Sequence, residues 1–261
     1  MPHHLDYAAV IERESTRFLD CLGRVVPEAA VPACPGWSAA DLLWHLAEVQ
    51  HFWGTIVRNR LQDPEQVKPR ERPGPFLELL ELFRASSRGL LNALGTAERE
   101  EDVWTWSDDH TVGFVLRRQA HEALIHRVDA ELVSDEVTPA DPDLALDGID
   151  ELLRVMLGGM PAWGSFQPDG LVVGVEATDA PGRWTLRLGR FQGTSPNSGK
   201  TYDFDAAEVG NGPEGTHALL GGEAWLLDRW LWGRAGDQSP SVAGDESLAR
   251  RLRALAVEAT Q

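Results

Sequence analysis

The segment at residues 34–56, CPGWSAADLLWHLAEVQHFWGTI, contains a clear signal for the start of a helix. A Cys-Pro-Gly-Trp turn precedes Ser38, a typical N-cap residue, and Asp41 stands at the capping-box position three residues later. The residues that then recur on one helical face are Leu42, His45, Leu46, Val49, Phe52, Trp53 and Ile56. An imidazole has little reason to lie within this apolar face unless it binds something, so His45 is a candidate functional residue.

The first half of the chain contains three further helical patterns, over residues 11–25, 76–94 and 111–133. The inward face of the last helix passes through Val115, Gln119, Glu122, His126, Ala130 and Val133. Ionisable groups therefore interrupt that face. Four helices of similar length with modest connections predict an up-and-down four-helix bundle over residues 1–138. Metal and cofactor sites in such bundles are commonly built from inward side chains on facing helices.

The composition changes after Val137, where Thr-Pro-Ala-Asp-Pro-Asp marks a linker or the entry to a helix. A second, smaller α/β domain is predicted over residues 139–261, which makes the whole chain α+β. The predicted strands cover residues 171–178, 183–188, 201–209 and 216–220, the last one ending at Gly221-Gly222. The predicted helices contain Leu146 to Met160, and Ala224 with Leu227 and Leu231.

The overall charge and composition exclude several classes of partner. The 261 residues carry a formal net charge of −17, which argues against a nucleic acid or an anionic membrane as partner. No apolar run has the length of a signal peptide core or of a membrane span, so a cytoplasmic location is expected. Cys21 and Cys34 are then expected to be free thiols, with Cys34 buried in its turn. Nucleotide-binding glycine motifs and the serine-hydrolase elbow are missing from the sequence.

Three of these residues form a candidate metal site. Glu122 and His126 are four positions apart, so on a helix their directions differ by only about 40°. With His45 from the second helix they give two imidazole nitrogens and one carboxylate oxygen. This set suits zinc or another divalent metal, and three protein ligands leave one coordination position open, as in catalytic zinc sites. The alternative is that His45 is a hydrogen-bonded core histidine and that Glu122 and His126 form a simple intrahelical pair.

Other polar residues have weaker signals. Asp129 follows His126 by three positions, and either orients its imidazole or is an ordinary solvated carboxylate. His121 points about 140° away from His126, which predicts a place behind the ligands or on the surface. Arg229 and Arg234 near the end of a helix either bind a carboxylate or phosphate group or stabilise the helix C-terminus.

Three stretches together resemble the mycothiol-dependent maleylpyruvate isomerase family: VPACPGWSAADLLWHL at residues 31–46, QAHEALIHRVDAE at 119–131 and LWGR at 231–234. The resemblance implies an N-terminal metal-binding bundle of the DinB/YfiT type, followed by a small α/β domain that is sterol-carrier-like. It also implies that His45, Glu122 and His126 hold a divalent metal, usually zinc. These are the same three residues that the helical spacing selects.

The same resemblance implies an enzyme that uses mycothiol, the thiol of actinobacteria, as co-substrate. A thiolate formed at the metal adds to the double bond of an unsaturated acid, rotation follows, and the thiolate leaves, which is cis/trans isomerisation. Arg234 matches a basic position of the family and is the candidate catalytic residue for the substrate carboxylate. The expected partners are thus a small-molecule substrate and a thiol, with a monomer or small homo-oligomer as the assembly. The alternatives are a mycothiol S-transferase for detoxification or biosynthesis, and a non-catalytic small-molecule-binding protein with a structural metal.

Overall fold

The computed structural model describes residues 5–210 and 215–260. Within these residues the chain forms seven α-helices and five β-strands, in two compact units that divide between Thr138 and Pro139. The first unit is helical and the second contains the sheet, so the predicted α+β class is confirmed. No helix in the described residues is long and apolar enough to cross a membrane.

The N-terminal unit contains four long helices, which are α1 (Tyr7–Leu22), α2 (Ala39–Asn59), α3 (Phe76–Gly95) and α4 (Val112–Leu132). Three of these helices, α1, α2 and α4, have side-chain N-caps, which are Asp6, Ser38 and Thr111. At α2 the Ser38 hydroxyl accepts from the Asp41 backbone amide and the Asp41 carboxylate accepts from the Ser38 amide. The predicted capping box is therefore confirmed, and it fixes where α2 begins.

The helix directions differ from simple up-and-down alternation. One apolar cluster joins the C-terminal part of α1 to the N-terminal parts of both α2 and α3, and includes Phe18, Leu42 and Phe83. α2 and α3 therefore run in the same direction, packed along each other, while α1 packs mainly on α4. Residues 60–75 must return along a helix of about 30 Å, which an extended segment of this length can do. The sequence pattern identifies the helices but contains no signal for this long return.

Almost all of α4 is buried, including most of its charged residues. One group of these charges faces α1. Arg127 donates to Glu14 and to Glu131 at 2.8 and 2.6 Å, and Arg17 donates to Glu131 at 2.8 Å. Thr138 at the end of the unit also donates to Glu131 through its amide and hydroxyl. These contacts pair α1 with α4 in parallel and satisfy charges that would be costly to bury alone.

The C-terminal unit is built on one mixed sheet with the strand order β3-β2-β1-β4-β5. Its strands are β1 (Gly164–Ala177), β2 (Arg183–Thr194), β3 (Thr201–Val209), β4 (Ala218–Gly222) and β5 (Ser241–Gly244). β1 and β4 are parallel, and the other neighbours are antiparallel. Its helices are α5 (Pro142–Glu151), continued by a π-helical segment (Leu152–Leu157), then α6 (Ala224–Leu231) and α7 (Glu246–Glu258).

Several boundaries in this unit differ from the prediction. The first two strands pair over a much longer hairpin than predicted, from Gly164 opposite Gly193 to Glu176 opposite Arg183. The extra residues are largely exposed, so apolar alternation does not mark them. Gly221 and Gly222 end β4 as paired strand residues instead of breaking it earlier. β5 and α7 had no prediction from the sequence pattern.

The pairing of α1 with α4 gives a prediction for stability. Replacing Arg127 by Met leaves Glu14 without this partner and removes one from the buried Glu131, so we expect the free energy of unfolding to fall by about 3–5 kcal/mol. Urea denaturation at pH 7 measures it. The control is Arg84→Met, which breaks only an exposed pair with Glu81 and should cost below about 0.5 kcal/mol. Equal losses in the two variants would contradict a stabilising role for the buried network.

Candidate metal centre

His45, Glu122 and His126 lie together between α2 and α4. The Nε2 atom of His126 is 3.1 Å from Oε1 of Glu122, and the Nε2 atom of His45 is 3.8 Å from the same oxygen. One ligand atom from each of the three residues lies within 4.8 Å of the others. The two imidazole rings meet edge to face with centroids 4.9 Å apart. Three donor atoms therefore point at one small volume.

The local structure explains this convergence. Glu122 and His126 are one turn apart on α4, which places both on the same face. His45 lies in the second turn of α2, whose start is fixed by the capping box of Ser38 and Asp41. A shift in that start by one residue would turn His45 away by about 100°.

The donor set fits a divalent metal. Ligands at about 2.0–2.1 Å in a tetrahedral arrangement are separated from one another by about 3.4 Å, and the two measured separations lie on either side of that value. Two imidazoles with one carboxylate are typical zinc ligands. The exposed fraction of the side chain falls from 37% for His45 to 21% for Glu122 and 11% for His126. The site is thus open on the side of His45, where a further ligand can enter.

Further contacts orient two of the three residues. Asp129 is fully buried and its Oδ2 accepts from Nδ1 of His126 at 3.0 Å, which directs Nε2 towards Glu122. The thiol of Cys34 also donates to this oxygen, at 3.6 Å. Arg118 donates to Oε2 of Glu122 at 3.2 Å, so Oε1 is the oxygen that faces the imidazoles. Such contacts behind the ligands hold a metal site in one geometry.

The charges of this cluster balance one another. Burial would raise the pKa of Glu122, but hydrogen bonds from His126 and His45 and the charge of Arg118 hold it well below the usual range. Burial would lower the pKa of His126, but hydrogen bonds to Asp129 and Glu122 raise that pKa to about 9. Glu122 is therefore an ionised carboxylate at neutral pH, the form that binds a cation.

A groove of about 360 Å³ lies on α2, on the C-terminal side of His45. It is lined by Glu48, Val49, His51, Phe52, Trp53, Val67, Lys68 and Pro69. Glu48, Val49 and Phe52 follow His45 by three, four and seven positions, so the groove lies along the same strip of the helix. Its size is typical of a site for a small molecule.

The helical unit can now be compared with known proteins. Residues 8–131 match the sequence profile described as the mycothiol maleylpyruvate isomerase N-terminal domain. The N-terminal unit belongs to this family. The matched range extends from α1 to α4 and contains all three residues of the candidate metal centre. It also contains the motifs at residues 31–46 and 119–131, so the resemblance of these two motifs is confirmed.

Solved structures extend the likeness to the C-terminal unit. The crystal structure of the mycothiol-dependent maleylpyruvate isomerase and that of a histidine-to-alanine mutant superpose with TM-scores of 0.59 and 0.60. Each match covers 91% of this chain and 92% of the other, at 14% sequence identity. An identity this low shows a shared fold and leaves the activity open. A search of curated proteins finds no match.

Three further histidines, His51, His110 and His121, lie outside the three-residue cluster. His121, on α4 of the mycothiol maleylpyruvate isomerase N-terminal domain, is buried against the ring of Tyr7 and not on the surface. His51 lines the groove on α2. The Nδ1 atom of His110 is 3.3 Å from the hydroxyl of Thr105.

Arg234 lies in the C-terminal unit, outside that domain. It is buried, donates to the backbone carbonyl of Trp232 at 2.6 Å, and has its guanidinium carbon 6.0 Å from the centre of the Trp232 ring. Its backbone follows Gly233, which has a positive φ of 76° and so ends the helical turn.

Sequence reasoning missed the contact of Arg118 with Glu122. The signal was present, because an arginine four residues before a glutamate on one helix is a typical ion pair.

The geometry predicts how metal binding responds to Asp129. We expect about one divalent metal per chain, and Asp129→Asn should lower zinc affinity by about 10–100-fold because the neutral amide holds His126 less well. Competition titration with a chromogenic chelator measures the affinity.

His45→Ala should remove most of the bound metal, whereas the control His51→Ala on the same helix should retain it. Full retention of metal by His45→Ala would refute the assignment of the ligands.

Proposed function

We propose that this protein is a metal-dependent enzyme that uses a low-molecular-weight thiol to isomerise an unsaturated acid between its cis and trans forms. The single observation that carries the proposal is the cluster of His45, Glu122 and His126 with one open side. Membership of the N-terminal unit in the mycothiol maleylpyruvate isomerase N-terminal domain family supports mycothiol as the thiol. Zinc is the metal that the donor set favours.

The residues around the centre have distinct tasks in this proposal. His45, Glu122 and His126 would hold the metal, which when bound would lower the pKa of a coordinated thiol so that thiolate is present at neutral pH. Asp129 keeps the Nδ1 proton of His126 in place. Arg118 holds the second oxygen of Glu122. Reversible addition of a thiolate to the double bond consumes neither thiol nor oxidant, so no further redox group is needed.

The groove on α2, which begins at Glu48, three residues after His45, is the proposed place for the substrate. Its apolar residues, such as Val49 and Phe52, suit the carbon skeleton of a small acid, and Lys68 at its rim offers a positive charge. Because the chain has a net charge of −17, an anionic substrate needs such local cations to approach the site.

An assay with maleylpyruvate tests the proposed activity. We expect zinc-loaded protein to isomerise it only when mycothiol is added, with the thiol concentration unchanged at the end of the reaction. Absorbance follows the acid, and a thiol reagent measures the free thiol. Glu122→Gln should lose both metal and turnover, because a neutral amide is a weaker metal ligand than a carboxylate.

The other outcomes identify the alternatives. Consumption of one thiol per substrate would replace isomerisation by S-transfer. Metal binding without any thiol-dependent turnover, across a panel of unsaturated acids, would favour a binding protein with a structural metal.

A second proposal concerns Arg234, which we assign to the carboxylate of the substrate. Arg234→Gln should raise KM for the acid by about tenfold or more, since a charge-assisted hydrogen bond is worth about 1.5–3 kcal/mol. The control is Arg253→Gln, because Arg253 has a similar environment, with a carbonyl and a ring of Trp230 as neighbours. Equal effects of the two changes on KM would show that Arg234 has only a structural role.

A further inference from the structure

Gln119 on α4 has a buried side chain with no hydrogen-bond partner in the described part of the chain. The residue is 1% exposed, and neither its Oε1 nor its Nε2 has a partner among residues 5–210 and 215–260. Buried amides are nearly always hydrogen-bonded, and each unsatisfied group costs about 1–3 kcal/mol. An unpaired glutamine at this position therefore lowers the free energy of unfolding. This cost points to a ligand as the missing hydrogen-bond partner.

The position of Gln119 relates it to the metal centre. It precedes Glu122 by three residues and His126 by seven, so all three share one face of α4. Side chains three positions apart on a helix are neighbours, with Cβ atoms about 5–6 Å apart. The amide of Gln119 is thus about one helical turn from the centre, towards the N-terminus of α4.

The chemistry of the amide selects the kind of group that it would bind. A carboxylate only accepts hydrogen bonds, so it would satisfy Nε2 and leave Oε1 unpaired. A secondary amide donates and accepts, so it can satisfy both atoms. A thiol whose sulfur lies at the metal centre and whose neighbouring amino group is acylated would carry such an amide a few bonds from the sulfur.

We infer that Gln119 is a specificity-determining residue that recognises the acylated amino group of the thiol co-substrate. The inference rests on the proposed function, because it takes the thiol to be bound at His45, Glu122 and His126. It adds that the site selects among thiols by an amide beside the sulfur. The binding of the thiol forms hydrogen bonds only, with no covalent step at Gln119.

Gln50 on α2 supplies the matched control. It is also fully buried, but its Nε2 donates to the hydroxyl of Ser15 on α1 at 2.8 Å, so only its Oε1 has no partner in the described part of the chain. It lies five residues after His45, which turns it about 140° away from that ligand. Gln50 is thus a buried glutamine that is anchored in the core and off the metal-facing strip.

Two simple thiols test the inference. N-acetyl-L-cysteine and 3-mercaptopropionate both have a thiol and a carboxylate, and differ only in the acetamido group. We expect zinc-loaded wild-type protein to bind N-acetyl-L-cysteine at least about tenfold more tightly in calorimetry. Gln119→Met, which keeps the length of the side chain without its polar atoms, should bring the two affinities within about twofold. Gln50→Met should retain the preference.

The thermal stability of Gln119→Met is a second readout. Its Tm should be equal to or above that of the wild type, because an unpaired buried amide is replaced by an apolar group. A markedly lower Tm would show that the amide is paired within the fold, and would overturn the inference. Equal binding of both thiols by the wild type, or an unchanged preference in Gln119→Met, would also overturn it while leaving the proposed function intact. Failure of both thiols to bind would reject the thiol site itself, and the inference with it.

Discussion

The burial of α4 is the constraint on which the helical unit depends. This helix carries Arg118, Glu122, His126, Arg127, Asp129 and Glu131, and all but Glu122 are almost completely buried. A buried charge is stable only when an opposite charge or several hydrogen bonds compensate it. The charge partners of these residues lie on two sides of α4. On one side the charged residues pair with α1 and stabilise the fold, and on the other side they form the metal centre.

The two groups point in different directions from one helix. Arg127 and Glu131 are about 100° and 140° round from His126, and their ion pairs join α4 to α1. Several charge-assisted hydrogen bonds fix the face of α4 that packs on α1. The face that carries Glu122 and His126 then needs only one further ligand from α2, which is His45. The ligands therefore rest on a rigid helix, which is what a site with a defined geometry requires.

Much of the structure of the N-terminal unit could be predicted from the sequence. Spacing of apolar residues predicted the four helices, and the Ser38–Asp41 capping box predicted where α2 begins, both as found. The spacing of Glu122 and His126, with His45 inside an apolar face, selected three residues that the fold brings within 4.8 Å. Local patterns suffice here because capping and helical spacing are local interactions.

Local sequence patterns do not predict the features that depend on residues far apart in the chain. The common direction of α2 and α3 depends on how the return segment, residues 60–75, packs along them. Arg70 in that segment donates hydrogen bonds to the Ala47 carbonyl on α2 and to the Ser86 hydroxyl on α3. Nothing in the pattern of residues 60–75 indicates those contacts. The pairing of Glu14 with Arg127 joins positions that are 113 residues apart. β5 was missed because it is four residues long and mostly exposed, so it has no apolar alternation.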